Sequence, residues 1–96
     1  MPKVIWLPEA LADIERLTLF LRDKNPHSAR SAWLSIKAGA QHLASFPEIG
    51  RPLRDGSHRR ELFVAFGAGA YVLRYRIDHA GSPVVIRVWH SRESRL

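Results

Sequence analysis

Arginine, aromatic and imidazole side chains that could bind or cut an anionic partner are concentrated in the C-terminal half of this chain. In chain order they are Arg60, Arg74, Arg87, Trp89, His90 and Arg92. Arginine suits bidentate recognition of phosphate or carboxylate, and histidine can exchange a proton near neutral pH. We therefore take these six residues as the candidate contacts with a partner or target.

The same residue types could cleave RNA. Attack of a ribose 2′-hydroxyl on the neighbouring phosphate needs a base, cations for the developing charge and an acid for the leaving oxygen. His90 or Glu61 could act as the base, and His90 as the acid. Arg60, Arg74, Arg87 or Arg92 could bind the phosphate, and if the protein is a nuclease we expect Arg60, His90 and Arg92 to be its catalytic residues. The structural alternative is that His90 only makes hydrogen bonds within the fold and that arginines on the strands pair with Glu61 or Asp78.

The net charge of +6 is unevenly distributed along the chain. Residues 1–50 contain six Lys and Arg against five Asp and Glu, a net of +1, whereas residues 51–96 contain nine against four, a net of +5. A basic half of this kind predicts an anionic partner, either a nucleic acid or an acidic protein segment. Direct DNA binding is not favoured as the main role, because no helix-turn-helix, zinc or ribbon motif accompanies the charge.

Length and composition limit the other classes of function. The 96 residues predict a single domain, residues 1–96, with a thin core. The chain has no cysteine, and its other four histidines lack metal-ligand spacing, so neither a metal nor a cofactor is expected. No apolar stretch approaches the ~20 residues of a membrane span and no secretory signal opens the chain, so we expect a cytoplasmic protein without membrane contacts.

The periodicity of apolar residues predicts two helices followed by three strands. Spacings of three and four characterise the N-terminal half, and alternation characterises the C-terminal half. The predicted elements are a strand over residues 3–6, helices from residue 8 to about 23 and from residue 26 to before 47, an irregular connection over 46–57, and strands over 60–66, 71–78 and 84–90. The order β-α-α-β-β-β predicts an α+β fold of two layers, in which an antiparallel helical hairpin covers one face of an antiparallel sheet.

Individual residues refine this prediction for the helices. Asn25 is the expected N-cap of the second helix, and a linker of two or three residues would force the two helices into an antiparallel hairpin. Gly39 indicates close contact between the helices. Trp33 and Ile36 are expected in the core. Asp13 is placed outside the apolar stripe of the first helix.

Short motifs recur in a recognisable order along nearly the whole chain. They are Trp6 with Pro8-Glu9-Ala10, Asp13-Ile14, the segment FPEIGRP at residues 46–52, Arg60-Glu61-Leu62, YVLRYRI at 71–77 and VWHSR at 88–92. In motif order, spacing and length the chain resembles the ParE/RelE toxins of bacterial type II toxin-antitoxin systems, and most closely the ParE branch.

The resemblance implies a toxin that arrests growth and is held in check by a cognate antitoxin. ParE members are implied to inhibit DNA gyrase by binding, and RelE members to cut messenger RNA on the ribosome; operator binding is implied to belong to the antitoxin. RelE-type nucleases usually have an arginine where this chain has Val72. They also tend to have a tyrosine several residues beyond the position that Arg92 matches, and this sequence ends first, at Leu96.

We therefore expect a ParE-like toxin that inhibits gyrase by docking its basic C-terminal sheet region, with no catalytic residues of its own. The alternative is a RelE-like, ribosome-dependent endoribonuclease. The antitoxin is expected to have an acidic C-terminal segment that covers the toxin's apolar groove and arginine face in a hetero-oligomeric complex.

Overall fold

The structure, a computed structural model, describes residues 3–93. Its elements are β1 (Ile5–Trp6), α1 (Pro8–Lys24), α2 (Pro26–Ser45), β2 (Arg51–Pro52), β3 (Arg60–Phe66), β4 (Gly69–Ile77) and β5 (Pro83–His90). The predicted α+β fold, with two helices followed by a sheet, is confirmed.

A single residue, Asn25, joins the two helices. Its backbone N–H donates to the carbonyl oxygen of Leu21 at 2.6 Å and so closes the last turn of α1. Its side-chain oxygen accepts the N–H of His27 at 3.0 Å, which confirms Asn25 as the N-cap of α2. Pro26 occupies the first turn, where a missing N–H costs nothing. The junction is thus shorter than the predicted two or three residues.

The five strands form one sheet in the order β1-β5-β4-β3-β2. Strands β3, β4 and β5 are antiparallel neighbours, as predicted, whereas β1 pairs in parallel with β5 through Ile5 opposite Val84 and Trp6 opposite Val85. Strand β2 lies within the segment predicted to be irregular and pairs with β3. It is two residues long and includes Pro52, which suits an edge position because proline offers no N–H to a further strand.

A β-bulge decides which residues of β5 enter the core. In the register between β4 and β5, Arg74 lies opposite Arg87 but the next residue, Tyr75, lies opposite Val85. The residue between them, Ile86, is therefore extra, and both Val85 and Val88 join the buried core. Strict alternation along the strand had placed those two valines on opposite faces.

The hydrophobic core lies between the helical hairpin and one face of the sheet. It contains residues of both helices, β4 and β5: Ala10, Ile14, Leu17, Ala32, Ile36, Ala40, Leu43, Tyr71, Leu73, Tyr75, Val85 and Val88. Leu62, Val64 and Phe66 of β3 pack at its margin. Every element that carries a candidate site residue is thus fixed by this shared core.

Two predictions for α2 are wrong, although Ile36 is fully buried as expected. Trp33 is 38% exposed, whereas its neighbours Ala32 and Ile36 on α2 are fully buried. The close approach at Gly39 is made to the sheet: a Cβ atom added there would lie 2.5 Å from Cγ2 of Val64. Gly39 therefore lets α2 sit close to β3.

Candidate functional site

Asp13 of α1 joins the helix to the edge of β5. Strand β1 pairs with β5 only at Val84 and Val85. The backbone N–H groups of β5 beyond Val85 therefore need other hydrogen-bond acceptors. There, Oδ2 of Asp13 accepts the backbone N–H of Val88 at 2.9 Å and Nε of Arg87 at 2.7 Å, while Oδ1 accepts Nη2 of Arg87 at 3.0 Å. Asp13 was predicted outside the apolar stripe but is only 4% exposed.

The charge of Asp13 is stabilised in this buried position. Burial alone would raise its pKa, but hydrogen bonds from Arg87, from the N–H of Val88 and from Arg16 outweigh that effect. The net pKa lies below the usual aspartate value. Asp13 therefore holds Arg87 and the edge of β5 as a charged group.

The segment after β5 is held against α1 by a second carboxylate. Nη1 of Arg16 donates to both oxygens of Glu93 at 2.9 Å, and Nη2 of the same arginine donates to Asp13 at 3.3 Å. Glu93 also accepts the backbone N–H of His90 at 3.3 Å. Arg16 thus bridges the carboxylates of Asp13 and Glu93. These carboxylates accept the backbone N–H groups of Val88 and His90, which are two residues apart on β5.

His90 lies at the end of β5 with its ring packed on the edge of Tyr71. The two ring centroids are 5.2 Å apart with an interplanar angle of 81°. Nδ1 of His90 accepts the backbone N–H of Arg92 at 3.2 Å, so a neutral ring carries its proton on Nε2. The ring therefore has a structural hydrogen bond on one nitrogen and only the other available to a partner.

An apolar groove, which we call the tail groove, separates α1 from this end of the sheet. Its volume is about 640 Å³, and its lining residues are Arg16, Leu17, Phe20, Leu21, Phe66, Tyr71, His90, Arg92 and Glu93. Phe20 is 63% exposed although it is a large apolar residue. Burial and the charge of Glu93 raise the pKa of Tyr71, so its hydroxyl stays neutral. The floor of the groove is therefore apolar. On its rim, the carboxylate of Glu93 is paired with Arg16.

Arg74 is bound within the sheet. Its Nε and Nη2 donate to Oε2 of Glu61 at 3.1 and 2.7 Å, which confirms the cross-strand pairing with Glu61 that was the structural alternative. The Arg74 guanidinium also lies 5.0 Å from the ring centroid of Trp89. Arg87, which lies two positions before Trp89 on β5, is bound by Asp13. The Glu61 carboxylate is shared further with Arg51, at 3.7 Å.

Arg60 lies far from the tail groove and braces a loop. Its Nη1 donates to the carbonyl oxygens of Glu48 at 3.1 Å and Gly50 at 2.8 Å. In the sheet register Arg60 pairs with Tyr75, whereas His90 pairs with Tyr71, four residues earlier on the same strand. At about 3.3 Å per residue the two positions are roughly 13 Å apart along the strand.

The structure therefore brings only part of the predicted set together. His90 and Arg92 meet at the tail groove, Arg74 and Trp89 stack on the sheet, and Arg60 and Arg87 are engaged elsewhere. Among residues 3–93 no three histidine, aspartate or glutamate side chains come together as a metal site. No helix within the same residues is long and apolar enough to cross a membrane.

Sequence reasoning missed the residues that organise this end of the molecule. Arg16, Phe20 and Glu93 are not among the residues predicted from the sequence to form a site. A signal was present for Asp13: it lies three residues after Ala10 and four before Leu17, which places a carboxylate on the buried face of the helix. An acid at such a position predicts a buried cation or N–H partner.

Comparison with known proteins identifies the family. A family model described as "ParE toxin of type II toxin-antitoxin system, parDE" matches residues 4–95. The chain belongs to this ParE toxin family. It is accordingly the toxin of a type II toxin-antitoxin system, and its partner is an antitoxin.

Curated relatives and a solved structure agree with this assignment. Toxin RelE3 of Caulobacter vibrioides is 38% identical over 88 residues, 92% of each chain. Toxin RelE1 of the same species is 37% identical over 87 residues, 90% of this ParE-family chain and 89% of the relative. A solved structure titled "Chromosomal ParDE TA system from P. aeruginosa" superposes with a TM-score of 0.76 at 18% identity, covering 94% of this chain and 96% of the other. The structural match shows the shared fold.

Proposed function

We propose that this ParE-family toxin arrests growth by binding and inhibiting DNA gyrase, without cutting RNA. The observation that carries the proposal is the separation of the cations that RNA cleavage would need. Arg60 lies at the far end of the sheet from His90, and both Arg74 and Arg87 are bound by carboxylates of the toxin itself.

The ion pairs make these arginines poor phosphate ligands. A phosphate that approached the Nε and Nη2 edge of Arg87 would have to displace Asp13, whose carboxylate also binds the backbone of β5. Breaking a buried, hydrogen-bonded pair leaves an uncompensated charge, which is costly. Arg74 is held in the same way by Glu61, which is 7% exposed. Each guanidinium therefore already has a carboxylate counter-ion, which weakens its attraction for a developing phosphate charge.

The environment of Val72 supports the same conclusion. This is the position at which, by the resemblance stated above, RelE-type nucleases have an arginine. Here the valine is buried on the sheet opposite Phe63 and Trp89. A buried apolar side chain at this position supplies no positive charge to a phosphate. The end of the sequence, where a tyrosine would be sought, lies outside the described residues.

The antitoxin in this proposal covers the tail groove with an acidic, amphipathic segment. Phe20 and the partly buried Phe66 offer apolar surface, and Arg92 is exposed on the rim. Burial of apolar surface supplies affinity, whereas the basic C-terminal half of the toxin attracts the acidic segment and speeds the encounter. The same tail, with His90 and Arg92, is the part of the surface that we assign to target contact once the antitoxin is gone.

Two assays on the purified full-length toxin test the target. In a supercoiling reaction with DNA gyrase we expect inhibition that rises with toxin concentration and disappears when antitoxin is added first. In a translation reaction with ribosomes and a labelled messenger RNA we expect no new cleavage sites. Unaffected gyrase together with cleavage at codon positions would overturn the proposal and assign the endoribonuclease alternative.

A further inference from the structure

The chain from β2 to the start of β3 is strongly basic and has no part in the tail groove. We call residues 51–60 the basic segment. It contains four arginines, Arg51, Arg54, Arg59 and Arg60, against one acid, Asp55, a net of +3. Eight of its ten residues are exposed. Half of the chain's net charge of +6 therefore lies on ten of its 96 residues.

Two arginines of the basic segment are held by the toxin itself. Arg60 braces the loop before β2, as described above, and Arg51 lies 3.7 Å from the carboxylate of Glu61. The other two, Arg54 and Arg59, are exposed, and within residues 3–93 neither forms an ion pair. These two are therefore the cations of the segment that are open to a partner.

Neighbouring charges offset these two arginines only in part. The Oδ1 atom of Asp55 already accepts the backbone N–H of Ser57 at 2.9 Å. Hydrogen bonds from Ser57 are the main reason that the pKa of Asp55 lies below the usual aspartate value, and the charge of Arg59 adds to them. Arg76 of β4 supplies a further exposed cation at this end of the sheet, since it follows Tyr75, which pairs with the first residue of β3. Among the described residues Arg76 also forms no ion pair.

The loop within the basic segment is closed and sharply bent. The backbone N–H of Leu53 donates to the carbonyl oxygen of Arg59 at 3.0 Å and closes the loop at its base. Arg54 and His58 have φ angles of 57° and 60°, in the left-handed region that residues other than glycine rarely adopt. Strained positions of this kind cluster at ligand-binding sites, where the surrounding structure enforces them. The loop therefore presents its arginines from a preformed shape, which lowers the entropy lost on binding.

The chemistry of the loop favours a double-stranded nucleic acid over a protein. Residues 53–59 contain no phenylalanine, tyrosine or tryptophan, and their one aliphatic side chain, Leu53, is partly buried. Protein interfaces usually depend on buried aromatic anchors, and single-stranded nucleic acids are bound by aromatic rings that stack on the bases. Exposed arginines with neighbouring polar groups are typical of contacts to the phosphate backbone of a duplex.

We propose that the basic segment, together with Arg76, is a docking site for the phosphate backbone of duplex DNA. Arg54 and Arg59 make the main contacts, and Arg76 extends them across the end of the sheet. The sequence has no motif that reads base edges, so the contact does not depend on the DNA sequence. That this DNA is the duplex held by gyrase rests on the proposed function. The toxin then touches the enzyme with its tail, and the DNA of the enzyme with the opposite end of its sheet.

The affinity of the full-length toxin, freed of antitoxin, for a short labelled DNA duplex tests the site. Fluorescence anisotropy should show binding that weakens steeply as salt rises, because phosphate contacts release counterions. The double variant Arg54→Gly/Arg59→Gln should weaken binding by about tenfold and lower the slope of log affinity against log salt by about 2, one for each lost contact. Its unfolding midpoint should not fall, since glycine adopts the left-handed conformation of position 54 without strain.

The matched control removes the same charge elsewhere. The double variant Arg22→Gln/Arg30→Gln, altered at exposed positions on the two helices, should keep most of the affinity and the full salt slope. The variant Asp55→Asn, which removes the acid of the segment and retains an oxygen for the N–H of Ser57, should bind the duplex more tightly.

Three results would overturn the DNA site. They are equal losses in the two double variants, tighter segment-dependent binding to single-stranded RNA or polyglutamate than to the duplex, and gyrase inhibition by a toxin that does not bind the duplex. Segment-dependent DNA binding by a toxin that leaves gyrase unaffected would contradict the proposed function and support the DNA site.

Discussion

The carboxylate of Asp13 on α1 lies 2.9 Å from the backbone nitrogen of Val88 on β5 and accepts its hydrogen bond. Strand edges with free N–H groups are prone to pair with other chains. Here the first strand is too short to cover that edge, and a helix side chain does so instead. The same carboxylate binds Arg87, so one residue both covers the edge of the sheet and acts as the counter-ion of an arginine.

Replacing Asp13 should destabilise the fold. The Asp13→Ala variant leaves the N–H of Val88 and the guanidinium of Arg87 without their acceptor, and we expect a loss of about 2–3 kcal/mol in the free energy of unfolding. Urea denaturation of the purified toxin measures this. Asp23→Ala, which removes an exposed acid from the same helix, should change the free energy by less than about 0.5 kcal/mol. Equal effects of the two substitutions would contradict the role given to Asp13.

Stability should fall in acid through the same residue. The pKa of Asp13 is lower in the folded protein than in the unfolded chain, so the unfolded state binds the proton more readily. The stabilisation is complete above the ordinary aspartate value of about 3.9 and is lost as the pH falls through the lower, folded-state pKa. Urea midpoints measured between neutral pH and strong acid should show a smaller decline for Asp13→Asn than for the natural chain. An unchanged pH profile would count against the argument.

Adding a methyl group at Gly39 should destabilise the toxin despite the better helix propensity of alanine. The propensity gain is about 1 kcal/mol, but the new Cβ would lie 2.5 Å from Cγ2 of Val64, whose branched side chain has little freedom to move. We expect a net loss of about 1–2 kcal/mol for Gly39→Ala. In the double variant Gly39→Ala/Val64→Ala the clash is gone, so the effect of the alanine should turn favourable relative to Val64→Ala alone. Additive effects in this cycle would show that the two sites do not touch.

Phe20 should contribute to antitoxin binding. It is 63% exposed at the tail groove, and Phe46, on the loop after α2, is a matched control at 61%. We expect Phe20→Ala to weaken antitoxin binding by about tenfold or more, because an aromatic anchor in a groove commonly carries over 1 kcal/mol of binding energy. Phe46→Ala should leave the affinity unchanged, and neither substitution should alter the unfolding midpoint. Equal losses of antitoxin affinity in the two variants would contradict the proposal that the antitoxin binds in the tail groove.

The rate of association with the antitoxin should fall as salt rises. The toxin carries a net charge of +6, and the antitoxin segment is proposed to be acidic, so attraction at a distance speeds the encounter and is screened by ions. Stopped-flow measurements at low and high salt test this, with Arg92→Glu expected to slow association more than Arg59→Glu. An association rate that barely changes with salt concentration would contradict electrostatic steering of the antitoxin.

The arrangement of the elements followed from patterns within short stretches of sequence. Asn25 followed by Pro26 predicted a helix start, and alternation of apolar residues located β3, β4 and β5, because both signals depend only on neighbouring residues. The bulge that turns Val85 toward the core could not be seen in this way. It depends on how β5 is aligned with β4, and the order of residues within one strand does not encode that alignment.

The candidate site was harder to predict, because its contacts join residues far apart in the chain. Asp13 and Val88 are separated by 75 positions, and Arg16 and Glu93 by 77. Arg87 is on β5, whereas its ion-pair partner, Asp13, is on α1. Residue type alone identified which side chains can bind anions, but their partners decide which of them are free to do so.

The pairing of the first strand with the last also sets when the toxin can become folded during synthesis. Strand β1 is synthesised before β5, and its pairing with β5 and the hydrogen bond from Val88 to Asp13 can form only after residues 83–88 have left the ribosome. Contacts between distant parts of a chain form late and slow folding. A chain whose synthesis ends before residue 83 therefore has an incomplete sheet and no tail groove. Such a fragment lacks the surface that we propose for binding the target. It also lacks the surface that we propose for binding the antitoxin.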